Sequence, residues 1–229
     1  PEGALSKGAG VRRAVWDFRH EGAAVITGAK IDWGNPTTGP LAVPGTYTAR
    51  LGGEGIDLSQ PLVVTNDPRS TVSQTDLEAQ LATALQVRDA FSRLAGIVTD
   101  LRGTRAELVS RAAGKRTRPG TGELVKAMDA AVARIDDLEG RMHNPSAEVT
   151  YDILAMRGGT RLYSRISPLI GFASEGDGAP TQGVREVFAD QKKELEALAA
   201  EANAIFATDI AAINAMAAKL GLAFVATPR

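Results

Sequence analysis

The stretch SQTDLEAQLATALQVRDAFSRLAGIVTDLRGTRAELVSRAA, residues 73–113, decides the fold class. Leu77, Ala84, Phe91 and Val98 recur every seven residues, and Val87, Leu94, Leu101 and Leu108 make a second row beside them. Alternating steps of three and four hold an apolar stripe on one side of a helix, and sustained over this length they match a bundle seam. Thr75 with Glu78 has the spacing of a capping box, and Ser73 is an alternative cap. The spacing predicts one long helix over residues 73–113.

Beyond it, Gly114 to Gly122 is a breaker-rich loop that carries Lys115, Arg116, Arg118 and Pro119. Glu123 to Met142 reads as a second helix through Leu124, Met128, Ala131, Ile135 and Leu138, stopped by Asn144-Pro145. A weaker helical segment runs from Glu148 to Phe172, broken at Gly158-Gly159 and again at Pro168. Thr181 caps a last helix over 182–220, with Val184, Phe188, Leu195, Leu198, Ala202, Ile205, Ala212 and Met216 three and four apart. Phe206, Ile210, Ile213 and Leu220 widen that face. Residues 71–229 are therefore expected to form an antiparallel bundle of roughly four helices.

In the other direction, residues 1–70 are rich in Gly and Pro, with short β-favouring runs between turn signals. Val11 to Arg19 alternates so that Trp16 and Phe18 point inward. Thr46 to Leu51 puts Tyr47, Ala49 and Leu51 on one side, and Gly52-Gly53-Glu54-Gly55 turns the chain into Ile56 to Thr65. Pro61 inside that run marks an edge or a bulge. The expected class is segregated α+β, a small antiparallel β module followed by helices. Three strands close a sandwich poorly, so further strands are expected upstream of Pro1.

The 229 residues carry 26 Lys and Arg against 27 Asp and Glu, with no Cys and two His. Neither half is a polyelectrolyte: residues 1–70 hold seven cations and seven anions, leaving 19 against 20. Nucleic-acid binders carry a basic excess or stripe that is absent here. Without Cys there is no disulfide, thiolate metal site or Cys nucleophile. No run approaches the ~20 apolar residues of a membrane-spanning helix. Phosphate-loop, His-Glu-x-x-His and Gly-x-Ser-x-Gly patterns are missing.

Asp136, Asp137 and Glu139, and Glu194, Glu196 and Glu201, supply helix carboxylates, but no His lies three residues after a Glu, and Glu194, Glu196 and Glu201, interleaved with Lys192 and Lys193, read as a solvated face. Asp209 falls on the apolar stripe of the last helix, where an unpaired charge is costly. Arg88 is its candidate partner, and Gln191 is a further polar residue on that stripe. An interhelical pair is expected there; the alternative is a polar site around Arg88, Gln191 and Asp209. His20 and His143 read as surface or capping residues. The loop at 115–118 is a solvated connection or an anion site. Trp33 either stacks on a sugar or plugs the base of the β module. No catalytic residue, cofactor or metal ligand is assigned.

Several segments in this order resemble the C-terminal region of large bacterial proteins whose N-terminal part is a β-propeller of the sialidase-like, BNR/Asp-box or VPS10/sortilin-like type. They are Gly10 to Arg19, Val43 to Leu51, Gln60 to Val64 running into Asp67-Pro68-Arg69, Ala84 to Asp89, Pro180-Thr181 before Arg185 to Phe188, and Ala207 to Asn214. Where that family often carries prolines, this chain reads Met156-Arg157-Gly158-Gly159. The resemblance implies a partial Ig/fibronectin-like module over 1–70 and a helical bundle over 71–229, placed after a propeller in an exported, periplasmic or secreted protein often labelled a glycosyl hydrolase. The propeller's Ser-x-Asp-x-Gly-x-Thr-Trp box is absent from this chain. The expected role is an accessory or scaffold module that packs against the propeller or another envelope protein; the alternative is a glycan- or protein-binding module.

Overall fold

In the computed structural model the chain is described at residues 5, 8–155, 157–176, 178–223 and 225, so Pro1 and Met156 lie outside the described residues. It is a mostly helical α+β protein. Two strands, β1 (Gly45–Gly53) and β2 (Ile56–Val64), form an antiparallel hairpin. The helices are α1 (Gln74–Ala113), α2 (Gly122–Met142), α3 (Thr150–Leu154), α4 (Leu162–Ser174), α5 (Gln182–Ala204) and α6 (Ala211–Lys219). A π-helical segment, Ile205–Ile210, joins α5 to α6 without a break.

Helix α1 starts where Ser73 accepts the Asp76 amide at 3.1 Å, so Ser73 rather than Thr75 is the cap. Its buried residues include the expected rows from Ala84 on, Ala84, Val87, Phe91, Leu94, Val98, Leu101 and Leu108, with Ala95, Thr104 and Ala112 beside them, while Leu77 is only half-buried. Ion pairs give the direction of its neighbours. Arg102 meets Glu139 and Arg105 meets Asp136, so α2 runs antiparallel to α1. Helix α4 lies lower on α1, with Tyr163 stacked on Phe91, and Gln80 reaches the Gly176 carbonyl just past its end. Little of α2 touches α4. The two lie in series along α1, which at 40 residues and ~1.5 Å per residue is long enough to serve both. Arg165–Glu194, Arg141–Glu201 and Arg134–Asp209 set α5 and α6 antiparallel to that pair. The helical body is thus three rods, in place of roughly four helices side by side.

The third rod explains Asp209. Its buried residues step from Phe188 through Gln191, Leu195, Leu198, Ala202 and Ile205 by threes and fours, then jump five to Ile210 before Ile213 and Ala217. A π segment absorbs one extra residue per turn, and it lies at that jump. Ala212 is consequently exposed where an unbroken α-helix would bury it, and Asp209 rotates to the rim of the stripe.

Residues 11–19 do not form the expected strand. Arg19 makes one isolated bridge to Leu41, Phe18 has φ 60 and is exposed, and Trp16 is half-buried, its indole N–H donating to the Arg19 carbonyl. From there to Ala42 the chain folds back on itself: His20 N–H donates to Pro40, Ala23 to Pro36 and Ala42 to Phe18. The arms approach so closely that a Cβ on Gly22 or Gly39 would fall within 2 Å of a carbonyl oxygen, at 1.9 and 1.8 Å. This strap lies on the helices, burying Ala23 and Ile26 in the common core. The Ala24 amide donates to Ser92, the Ile26 amide to the Tyr163 hydroxyl at 3.0 Å, and Ser167 donates to the Trp33 carbonyl. Residues 20–33 thus pack with the helices although they precede residue 70.

If the π segment is a one-residue insertion, deleting exposed Ala207 restores steps of three and four on both sides. The variant is expected to melt no lower than the parent by circular dichroism, with the core intact; a clear fall contradicts this reading.

Candidate functional site

The four polar or aromatic residues singled out in the sequence do not converge. Arg88 pairs with its neighbour Asp89 and donates to the Glu21 carbonyl of the strap at 3.2 Å. Asp209, its expected partner, is instead held by Arg134 of α2, and its side chain is only 23% exposed. The reason is the π segment, which turns Asp209 toward α2. Gln191 is buried at 8% exposure, with Oε1 lacking a hydrogen-bond partner. Trp33 is 68% exposed: its backbone is pinned to α4 and its ring faces solvent.

The acidic side chains at 194, 196 and 201 face solvent and are also paired. Asp136, Glu194, Glu196 and Glu201 each meet an arginine of another helix, respectively Arg105, Arg165, Arg93 and Arg141. With side chains near half-exposed and screened by water, such pairs fix register more than stability. In the loop at 115–118, Arg116 is engaged by Asp129 and Lys115 by the Arg111 carbonyl. Three shallow clefts of about 280, 330 and 230 Å³ follow the arginine–carboxylate seam between the second and third rods.

The most concentrated chemistry lies elsewhere, where α1, the end of α2, the start of α4 and the strap meet. Glu139 is buried, and one of its oxygens lies 2.8 Å from both Arg102 Nε and His143 Nε2. Arg102 also donates to the Thr27 carbonyl at 2.9 Å, tying the strap into the group. His143 Nε2 lies between Glu139 Oε1 at 2.8 Å and Arg102 Nη2 at 3.1 Å: a protonated Nε2 donates to the carboxylate, and a bare one accepts from the guanidinium. His143 is 2% exposed, and its Nδ1 has no hydrogen-bond partner among the described residues. Its ring stands edge-on to Tyr163, 6.4 Å between centres. This corrects the reading of His143 as a surface residue. Residue 143 caps α2, and the Asn144-Pro145 stop folds the chain over it instead of leaving it in water; Asn144 donates to the Arg157 carbonyl at 2.7 Å.

Burial pushes the Glu139 carboxyl up, but hydrogen bonds from His143 and Arg102, with their charges, outweigh it and hold the group below the ordinary glutamate range. Burial raises the Tyr163 phenol, opposed by the Ile26 amide and the charge of Arg102. A carboxylate-oriented imidazole has the parts of a general base. None of these three clefts is lined by Glu139 or His143, and both side chains are buried. The geometry of the pair suits a lock between rods and strap. The sequence signal is the one-turn spacing Glu139 to His143, which a search for Glu-x-x-His passes over. Among the described residues no three His, Asp or Glu gather in a way that could hold a metal ion, and no helix is long and apolar enough to cross a membrane.

No family model, curated protein or solved structure matches the chain.

Because the Glu139 pKa is depressed on folding, its contribution is complete above the unfolded value near 4.5 and is lost as pH falls through the lower folded value. Glu139→Gln is expected to cost about 1–3 kcal/mol at pH 7. It should also flatten the decline of stability below pH 4.5, as measured by urea unfolding across pH. An unchanged acid limb in the variant contradicts the lock.

Proposed function

We propose that the chain is a non-catalytic accessory module of an exported β-propeller protein, in which the hairpin docks against a neighbouring domain and the three rods hold it in place. The observation that carries this reading is the uncovered apolar face of the hairpin. Pairing of Tyr47 with Leu62, Ala49 with Gln60, Leu51 with Leu58 and Gly53 with Ile56 puts most of the apolar side chains on one side, and Thr48, Arg50, Asp57 and Ser59, with Pro61 and Val63, on the other. Leu51, Ile56, Leu58 and Leu62 are 38–63% exposed. Trp16 and Phe18 cover only the base, with Trp16 set edge-on to Tyr47 at 5.1 Å. Among the described residues no helix packs on either strand. Two strands alone are marginal in water, and a third strand or a covering surface stabilises them. On this reading the hairpin belongs to an Ig-like module completed by strands or a propeller surface outside the 229 residues.

The coding sequence upstream of Pro1 is expected to encode propeller repeats, and an open reading frame that starts at Pro1 contradicts the proposal. With that propeller in hand, Leu58→Asp is expected to weaken its calorimetric binding by at least about tenfold, the loss of one buried leucine. The melting temperature should barely move, because Leu58 touches no helix. Equal affinity for parent and variant sinks the hairpin's role.

A second reading rests on the exposed ring of Trp33, which is held on a rigid backbone and free to stack on a sugar. It requires glycan-array binding that disappears in Trp33→Ala, and a flat profile for the parent protein ends it.

A further inference from the structure

The two edges of the hairpin are not equivalent, and the difference comes from the turn. Glu54-Gly55 is a two-residue connection with Gly55 at φ 73, so Gly53 and Ile56 form the hydrogen-bonded pair that closes it. Antiparallel pairs alternate between hydrogen-bonded and non-bonded. Counting back, Leu51, Ala49 and Tyr47 bond to β2, whereas Gly52, Arg50, Thr48 and Thr46 turn their backbone N–H and C=O groups outward. On β2 the outward set is Asp57, Ser59, Pro61 and Val63. Pro61 has no N–H, so that edge is interrupted at its middle. The β1 edge is unbroken and exposed at Thr46, Thr48, Arg50 and Gly52.

We infer that the β1 edge pairs with the β1 edge of a second copy of this chain, antiparallel about a two-fold axis at Ala49. This register is self-complementary at every position. Thr48 faces the partner's Arg50 and Thr46 faces the partner's Gly52, so the four outward residues on each strand all bond, giving about eight N–H···O contacts. Ala49 faces its own mate in a non-bonded pair, where the strands come closest, about 4.5 Å between Cα atoms, and its methyl group suits that approach. Tyr47 faces the partner's Leu51, extending the apolar face across the axis. Arg50, the only charge on β1, meets Thr48 rather than another Arg50 and keeps its own Asp57 at 2.8 Å. Moving the axis to Thr48 loses the Gly52 bonds and presses Pro44 into the ladder. The resulting sheet, ordered β2-β1-β1-β2, passes the three-strand threshold for stability that the lone hairpin misses, and neither Pro61 edge extends it further. The pairing leaves the apolar face open to a propeller surface, but it occupies the β1 edge that a completing strand would need, so the two are mutually exclusive there.

The chain has no cysteine, which gives a clean test. Ala49→Cys should oxidise to a disulfide-linked dimer, because the facing Cα atoms fall in the ~4.4–6.8 Å range that a disulfide spans. Leu58→Cys should not, since its mate lies three strand spacings across and four residues along, ~20 Å away. By sedimentation equilibrium the parent chain is expected to dimerise. Thr48→Pro removes an outward N–H and leaves the hairpin ladder whole, so it should weaken the dimer at least about tenfold. A parent chain that stays monomeric at ~100 µM overturns the inference. So does a dimer that Ala49→Cys fails to cross-link, or one in which Leu58→Cys cross-links equally well.

Discussion

The Tyr163 hydroxyl accepts the Ile26 amide in a fully buried position, and the arrangement of the molecule turns on that contact. Tyr163 sits in the first turn of α4, where the second rod passes from α2 to α4. Its ring stacks on Phe91 of α1 at 4.4 Å and meets the edge of His143 at the end of α2. A buried amide without an acceptor costs about 1–3 kcal/mol, so the strap can bury Ile26 only where such an acceptor waits. Arg102, shared between Glu139 and the Thr27 carbonyl, repeats the linkage one residue along the strap. Between them they make the strap a covering layer of the helical body.

Most of the helical body is legible in the sequence because its signal is local. Rows such as Ala84, Phe91 and Val98, or Leu124, Met128, Ala131 and Ile135, bury where their spacing says they should. Spacing gives no information on which helices lie side by side. Placing α2 and α4 in series depends on the length of α1 and on the chain doubling back through residues 143–161, with Gly158 and Gly159 both at positive φ. The π segment was written in the sequence as the five-residue step from Ile205 to Ile210, but a wide apolar face that also offers Phe206 and Ala212 conceals the jump.

The N-terminal third was less legible, for a different reason. Short apolar runs between Gly and Pro signal strand or irregular chain equally, and what decides is the surface that receives them. Ala23 and Ile26 found the α1–α4 seam. Thr46 to Leu51 and Ile56 to Val64 paired only with each other, so period-two patterning was sufficient for those two strands alone. At the candidate site, Asp209 misled because its stripe position assumed an unbroken α-helix. Glu139 and His143 were overlooked because a polar residue beside a helix stop normally faces water. Among the described residues the molecule divides by packing into a body of rods plus strap and a hairpin with no helix on it.

Native-state hydrogen exchange at the Ile26 amide tests this division most directly. If the strap is part of the body, that amide exchanges only through global opening, with the protection of Leu94 and Val98 in α1, and Tyr163→Phe selectively removes the protection. Exchange of Ile26 near the rate of an open loop, while Leu94 and Val98 stay protected, would contradict it.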